Sequence, residues 1–191
     1  RETNEQIAIW EGARLTQDQA RELSGIRDVR WTNEYDTLLD TLVPAAIMVF
    51  VEANQHPRCT CPVETRNARM TKELKEKFPD AVLKNVYEIM AEMRQIKKPE
   101  EIKALRKACD ITNEGFRALL RFIRPGVGEW QIEGFLANEF ISRGPRKFSF
   151  LPIIASGKDT CVLHYIQNDK RCEDGGLVLM DIGTEYGNYN S

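Results

Sequence analysis

Two side chains in this sequence stand where they could do chemistry. Asp181 closes the apolar run Leu177-Val178-Leu179-Met180 and precedes Ile182-Gly183, so it is expected to end a buried strand with its carboxylate toward a cleft. The same local pattern also fits an aspartate that starts a turn. His164 lies in Val162-Leu163-His164-Tyr165, a partly desolvated setting that favours neutral imidazole. That setting suits a group relaying a proton near neutrality, and it equally suits a hydrogen-bonded, half-buried core histidine. Other chemistries fail on what the chain lacks. Gly126-Val127-Gly128 follows a helix, and Gln131 occupies the third glycine position of a dinucleotide fingerprint. Neither a GxxxxGK phosphate loop nor an HExxH pair occurs. With His56 and His164 as its only histidines, the chain must build any metal site mainly from carboxylates. Cys59-Thr60-Cys61 has one intervening residue where a redox or zinc pair has two, and five cysteines are an odd number. Reduced thiols in a cytoplasmic protein are the simpler expectation.

Positioning these residues falls to two helices and a β-rich segment. Lys97-Lys98-Pro99-Glu100-Glu101 starts a helix, because proline suits the first helical position and two carboxylates meet the positive end of the helix dipole. Ile102, Leu105, Cys109, Thr112, Phe116, Leu119, Leu120 and Ile123 then recur at helical spacing, up to Pro125-Gly126. A second helix from about Glu129 carries Trp130, Phe135, Leu136 and Phe140 and stops at Gly144-Pro145. From Phe148 the period becomes β-like, with strands over 150–155, at Val162-Leu163 and over 177–182, separated by Gly- and Asp-rich turns. Upstream, residues 45–51 after Pro44 read as a buried strand, 54–62 as a loop, 63–78 as a helix, Ala81-Val82-Leu83 as a second strand and 87–94 as a short helix. This alternation argues an α/β (α+β) protein. The break near Gln95 to Pro99 divides it into domains 1–95 and 96–191.

A length of 191 residues suits one domain or two small ones, at roughly 150 residues per domain. Lys+Arg 27 against Asp+Glu 29 leaves a net charge of -2, which lacks the footprint of a nucleic-acid binder. The longest apolar run, residues 42–51, contains Pro44 and falls short of the roughly 20 residues that span a bilayer, so no membrane partner is expected. The chain opens at Arg1 in a charged stretch and stops at Ser191 in mid-pattern, which reads as an interior fragment of a longer protein.

Taken in order, several motifs share a signature. They are residues 93–102 around Lys98-Pro99-Glu100-Glu101, Arg124-Pro125-Gly126 with Glu129, Ile153-Ile154-Ala155-Ser156-Gly157, Leu163-His164-Tyr165 with Asn168, Asp174-Gly175, and the run from Leu177 to Tyr186. The series resembles aminopeptidase P, the Xaa-Pro aminopeptidase branch of the pita-bread metallopeptidases, from about Ala91 to Ser191. Ile9-Trp10-Glu11-Gly12-Ala13-Arg14-Leu15 looks like a segment of that family's N-terminal domain. The resemblance implies part of a creatinase-like N-terminal α/β domain at 1–95, followed by the first half of a pita-bread catalytic domain at 96–191.

What the resemblance implies for chemistry is a hydrolase that cleaves an N-terminal Xaa-Pro bond by attack of a metal-bridging hydroxide. Its cofactors would be two divalent ions, expected to be Mn2+, held by two Asp, one His and two Glu. Asp181 matches the first of these ligands. The family pattern Asp-x-Gly-x-Glu-Tyr-x-Gly-Tyr-x-Ser-Asp is matched through Ser191, so the remaining ligands would lie beyond residue 191 and this chain alone would be inactive. His164 matches a histidine beside the scissile bond, and Phe150 matches an aromatic position lining the substrate pocket. Gly176 and Gly187-Asn188 depart from the pattern, the latter at the turn of the hairpin leading to the second Asp. The partner would be a peptide with proline in second position, and a homo-oligomer is compatible with the resemblance. Prolidase, which takes dipeptides, and a non-catalytic pita-bread peptide- or protein-binding module are the alternatives.

Overall fold

The computed structural model describes residues 2–52 and 63–191, so the expected loop at 54–62, with His56 and Cys59-Thr60-Cys61, lies outside the described residues. By its internal contacts the chain divides into two units, Arg1–Gln95 and Ile96–Ser191.

In the first unit, α1 (Glu5–Glu11), α2 (Gln17–Ser24) and α3 (Tyr35–Ala45) precede β1 (Val49–Val51), and α4 (Arg66–Lys77), β2 (Leu83–Asn85) and α5 (Tyr87–Gln95) follow. Side-chain caps start three of these helices: Asn4 accepts from the Ile7 N–H, Thr16 from Gln19 and Thr65 from Ala68. β1 and β2 pair in parallel, Val49 opposite Leu83, with α4 lying between them in the chain as parallel pairing requires. Pro44 does not open a strand as the apolar run suggested. It sits in the last turn of α3, which ends at the next residue, and the strand shortens to Val49–Val51.

The second unit comprises α6 (Pro99–Phe122), α7 (Glu129–Ile141), β3 (Ile153–Ser156), a 3-10 turn (Gly157–Cys161), β4 (Val178–Asp181), β5 (Glu185–Tyr186) and β6 (Tyr189–Asn190). α6 begins at Pro99, and the Lys98 N–H donates to the Glu101 carboxylate at 2.7 Å. The buried stripe of α6 is Ala108, Ile111, Gly115 and Leu119, while Ile102, Cys109, Phe116 and Leu120 of the expected face are exposed. Small residues decide this: a Cβ on Gly115 would lie 2.7 Å from the Phe140 ring, so α6 and α7 approach where side chains are least bulky. Ile132, Leu136 and Phe140 of α7 complete the core with Ile154 of β3, and Phe148 meets Phe140 edge to face at 5.3 Å.

β3 and β4 are antiparallel, with Ile153 opposite Asp181 and Ser156 opposite Val178. The expectation of a buried 177–182 strand is corrected by its two faces. Val178, Met180 and Ile182 pack on the core, whereas Leu177, Leu179 and Asp181 are exposed, on the face where Tyr165 packs over Ile153 and Ala155 of β3 but leaves the β4 side chains uncovered. Val162-Leu163 is not a strand either and follows the 3-10 turn as irregular chain. Among the described residues, no helix is long and apolar enough to cross a membrane.

Candidate functional site

Asp181 ends β4 on the exposed face of the β3–β4 pair, and among the described residues its carboxylate has no hydrogen-bond or ion-pair partner. The chain beyond it is fixed tightly. Gly183 leaves room that no other residue could leave: a Cβ there would lie 2.6 Å from Ser149 Oγ and 2.8 Å from the Ser191 carbonyl oxygen. The Thr184 N–H donates to Thr112 Oγ1 at 3.2 Å and Ser191 Oγ at 3.0 Å, and the Ser191 N–H returns to the Thr184 carbonyl at 3.1 Å. The Gly187-Asn188 departure keeps the hairpin. Both residues adopt positive φ, +58° and +67°, as a two-residue turn matched to strand twist requires, and Glu185 pairs with Asn190.

Phe150 lies in the irregular stretch just before β3, whose first residue, Ile153, pairs with Asp181. Between the Phe148–Thr184 bridge and the Ile153–Asp181 pair, one side carries residues 149–152 and the other only 182–183. Such an excess bends a strand and re-aims its side chains. Phe150 and Leu151 are accordingly exposed, by 42% and 66%.

His164 occupies the chain between the 3-10 turn and Tyr165 and is exposed, beside Leu163 at 85% exposure. The partly desolvated or half-buried setting expected for it does not occur, because its neighbour Tyr165 takes the interior position. No hydrogen bond or ion pair joins His164 to Asp181 among the described residues. Tyr165 is 4% exposed, and its hydroxyl donates to Glu129 Oε2 at 2.8 Å, with Asp169 Oδ1 at 3.1 Å. Burial, then the bond to Glu129, pushes the phenol well above its ordinary range.

Glu129 is the residue that sequence reasoning gave no role. It is fully buried, and burial alone would raise its carboxyl. The Lys170 N–H, the Ser156 hydroxyl, the Tyr165 hydroxyl and the Ser156 N–H together hold it below its ordinary value. Its position after Gly126-Val127-Gly128 at a helix start signals only a favourable dipole; the distant Ser156 and Lys170 carry no spacing that could reveal the cluster.

Among the described residues, no three His, Cys, Asp or Glu side chains converge to hold a metal ion. The exposed, unpartnered carboxylate of Asp181 has the hard oxygen donors that divalent cations take, and it fits one ligand of such a site.

Residues 103–191 match the metallopeptidase family M24, and residues 1–50 match the aminopeptidase P N-terminal domain. The chain belongs to the aminopeptidase P branch of family M24. It is 32% identical over 182 residues to the Xaa-Pro aminopeptidase of Escherichia coli (strain K12), covering 95% of this chain and 41% of that protein. An Xaa-Pro dipeptidase of Pyrococcus horikoshii is 36% identical over 119 residues, covering 62% of this chain and 34% of the relative. The solved structure of a putative aminopeptidase P from Bacillus anthracis superposes with a TM-score of 0.91 at 26% identity, over 100% of this chain and 45% of that one. The chain thus spans about 40% of the length of the Xaa-Pro aminopeptidases it matches. Its mixed helices and strands correspond to the N-terminal domain and the start of the catalytic domain of aminopeptidase P.

Proposed function

We propose that the protein carrying this chain is a metal-dependent aminopeptidase that removes the first residue from peptides with proline in second position. The observation that carries this is Asp181: an M24 chain presents an unpartnered carboxylate at the end of β4, inside an Asp-x-Gly-x-Glu-Tyr run whose glycine is sterically required. In this reading 1–95 is part of the N-terminal domain and 96–191 the first half of the catalytic domain. Asp181 ligates one of two divalent ions, Mn2+ in the working enzyme, which would activate water and polarise the scissile carbonyl. Phe150, exposed just before β3, packs against the substrate. His164, solvent-facing, hydrogen-bonds the peptide beside the scissile bond and provides a proton to the departing prolyl nitrogen. Free Cys109, Cys161 and Cys172 support a reducing, cytoplasmic setting.

The test is hydrolysis by the full-length, Mn2+-loaded protein of an Xaa-Pro-Xaa tripeptide, an Xaa-Pro dipeptide and an Xaa-Ala-Xaa control. Chelator-sensitive cleavage of the tripeptide alone is expected. Cleavage confined to the dipeptide makes the protein a prolidase, and a metal-loaded protein that cleaves none of them is a binding module.

A further inference from the structure

The fully buried carboxylate of Glu129 does more than fill the interior. Its Oε1 accepts from the Ser156 N–H at 2.7 Å and the Ser156 hydroxyl at 2.8 Å; its Oε2 accepts from the Tyr165 hydroxyl at 2.8 Å and the Lys170 N–H at 2.9 Å. Ser156 is the last residue of β3, so these contacts fall at the start, the middle and the end of one loop, 156–170. The Glu129 N–H also donates to the Lys170 carbonyl at 2.9 Å, making the contact at the loop's end reciprocal. One side chain on a core helix therefore closes the loop at both ends and grips it at Tyr165, the residue after His164.

Each carboxylate oxygen receives two donors, and that arrangement requires the ionised acid. An amide at this position would turn its NH2 group toward donors on one side. The start of α7 favours the negative charge, and four bonds compensate its burial. Besides the Tyr165 hydroxyl bonds, the middle of the loop is held by the Tyr165 ring packed against Ile153 and Ala155; the Val162 N–H donates to the Asp159 carbonyl, and Leu163, His164 and Ile166 are exposed.

We infer that Glu129 is a positioning residue for His164, holding the 156–170 loop closed through Ser156, Tyr165 and Lys170. This rests on the proposal that His164 acts on the substrate. Glu129 itself touches no reacting group; it fixes the backbone that carries the imidazole relative to the α7 core.

The test compares Tyr165→Phe with Ser156→Ala in the full-length, Mn2+-loaded protein. Both remove one hydroxyl donated to Glu129, but only the first releases the chain next to His164. Two readouts are taken: the rate of tryptic cleavage after Lys158, inside the loop, and kcat with KM on the Xaa-Pro-Xaa peptide. Tyr165→Phe is expected to speed cleavage at Lys158 about tenfold, the opening set free by losing one charge-assisted hydrogen bond. Its kcat should fall about tenfold through misplacement of the imidazole, with melting temperature close to that of Ser156→Ala. Ser156→Ala should stay within about twofold of the parent on both readouts, since its N–H still binds the carboxylate. Equal effects of the two variants, or unchanged cleavage at Lys158 in Tyr165→Phe, overturn the inference. If the parent shows no peptidase activity, the peptidase proposal fails by itself, and cleavage at Lys158 still decides whether the carboxylate holds the loop.

Discussion

Ile153 stands directly across the β3–β4 pair from Asp181, so a buried aliphatic side chain and an exposed carboxylate occupy the same face of one antiparallel pair. The strand is anchored from its other face by Val178, Met180 and Ile182, which leaves the carboxylate free of any structural duty. Asp181→Asn should therefore leave stability within about 0.5 kcal/mol of the parent. In the full-length protein it should cost bound metal and peptidase activity together. Elemental analysis beside thermal melting checks this; a variant that keeps two ions and full turnover would remove Asp181 from the ligand set.

His164→Ala separates three roles because the imidazole is exposed. A substrate-side role leaves the melting temperature and metal content unchanged and lowers kcat/KM by roughly 10²–10⁴, the range for a positioned acid-base group. Loss of metal would make His164 a ligand instead, and unchanged kcat/KM in a folded, metal-loaded variant would leave it no part in the reaction.

What the sequence disclosed, and what it hid, follows from range. Pro99-Glu100-Glu101 marks the α6 start because capping is local, and the positive-φ turn at Gly175 follows from the same short-range chemistry. Of the α6 face that hydrophobic periodicity marks, Leu119 is buried and Ile123 packs on the core. The periodicity also counts the exposed Phe116 and Leu120 and undervalues Ala108 and Gly115, and it is the missing side chain of Gly115 that admits the Phe140 ring. An apolar run such as 177–180 reveals strand character without revealing whether both faces find partners. The place of Asp181 at the end of β4 follows from the apolar run before it, whereas Glu129 binds residues 27, 36 and 41 positions away and leaves no local trace.

Glu129 also sets a pH dependence. Its folded-state pKa lies below the ordinary value of 4.5, so its contribution is fully present above about pH 4.5 and is lost as pH falls through the depressed folded value. Urea unfolding of the parent and of Glu129→Gln, each followed from pH 7 to pH 3, isolates this group from the other carboxylates. The variant should be less stable by about 1–3 kcal/mol at pH 7, having donors without acceptors. The gap should narrow as the medium is acidified below about pH 4.5. A gap constant across that range would mean the carboxylate's charge plays no part in holding Ser156, Tyr165 and Lys170.

Gly183 tests the geometry behind Asp181 without touching any group proposed to act in the reaction. Its added Cβ would meet Ser149 Oγ at 2.6 Å and the Ser191 carbonyl oxygen at 2.8 Å, and the second obstacle is backbone that cannot rotate away. Gly183→Ala should cost about 1–3 kcal/mol, as forced overpacking does. Ser149→Ala should recover part of that loss in the double variant, because it removes the nearer obstacle. It also deletes a hydroxyl that is buried without a hydrogen-bond partner. Recovery must stay incomplete while the Ser191 carbonyl remains. Full recovery, measured by urea unfolding of the two single variants and the double, would assign the whole constraint to Ser149. No recovery would place it in the Ser191 backbone, which the bonds between Thr184 and Ser191 hold against Gly183.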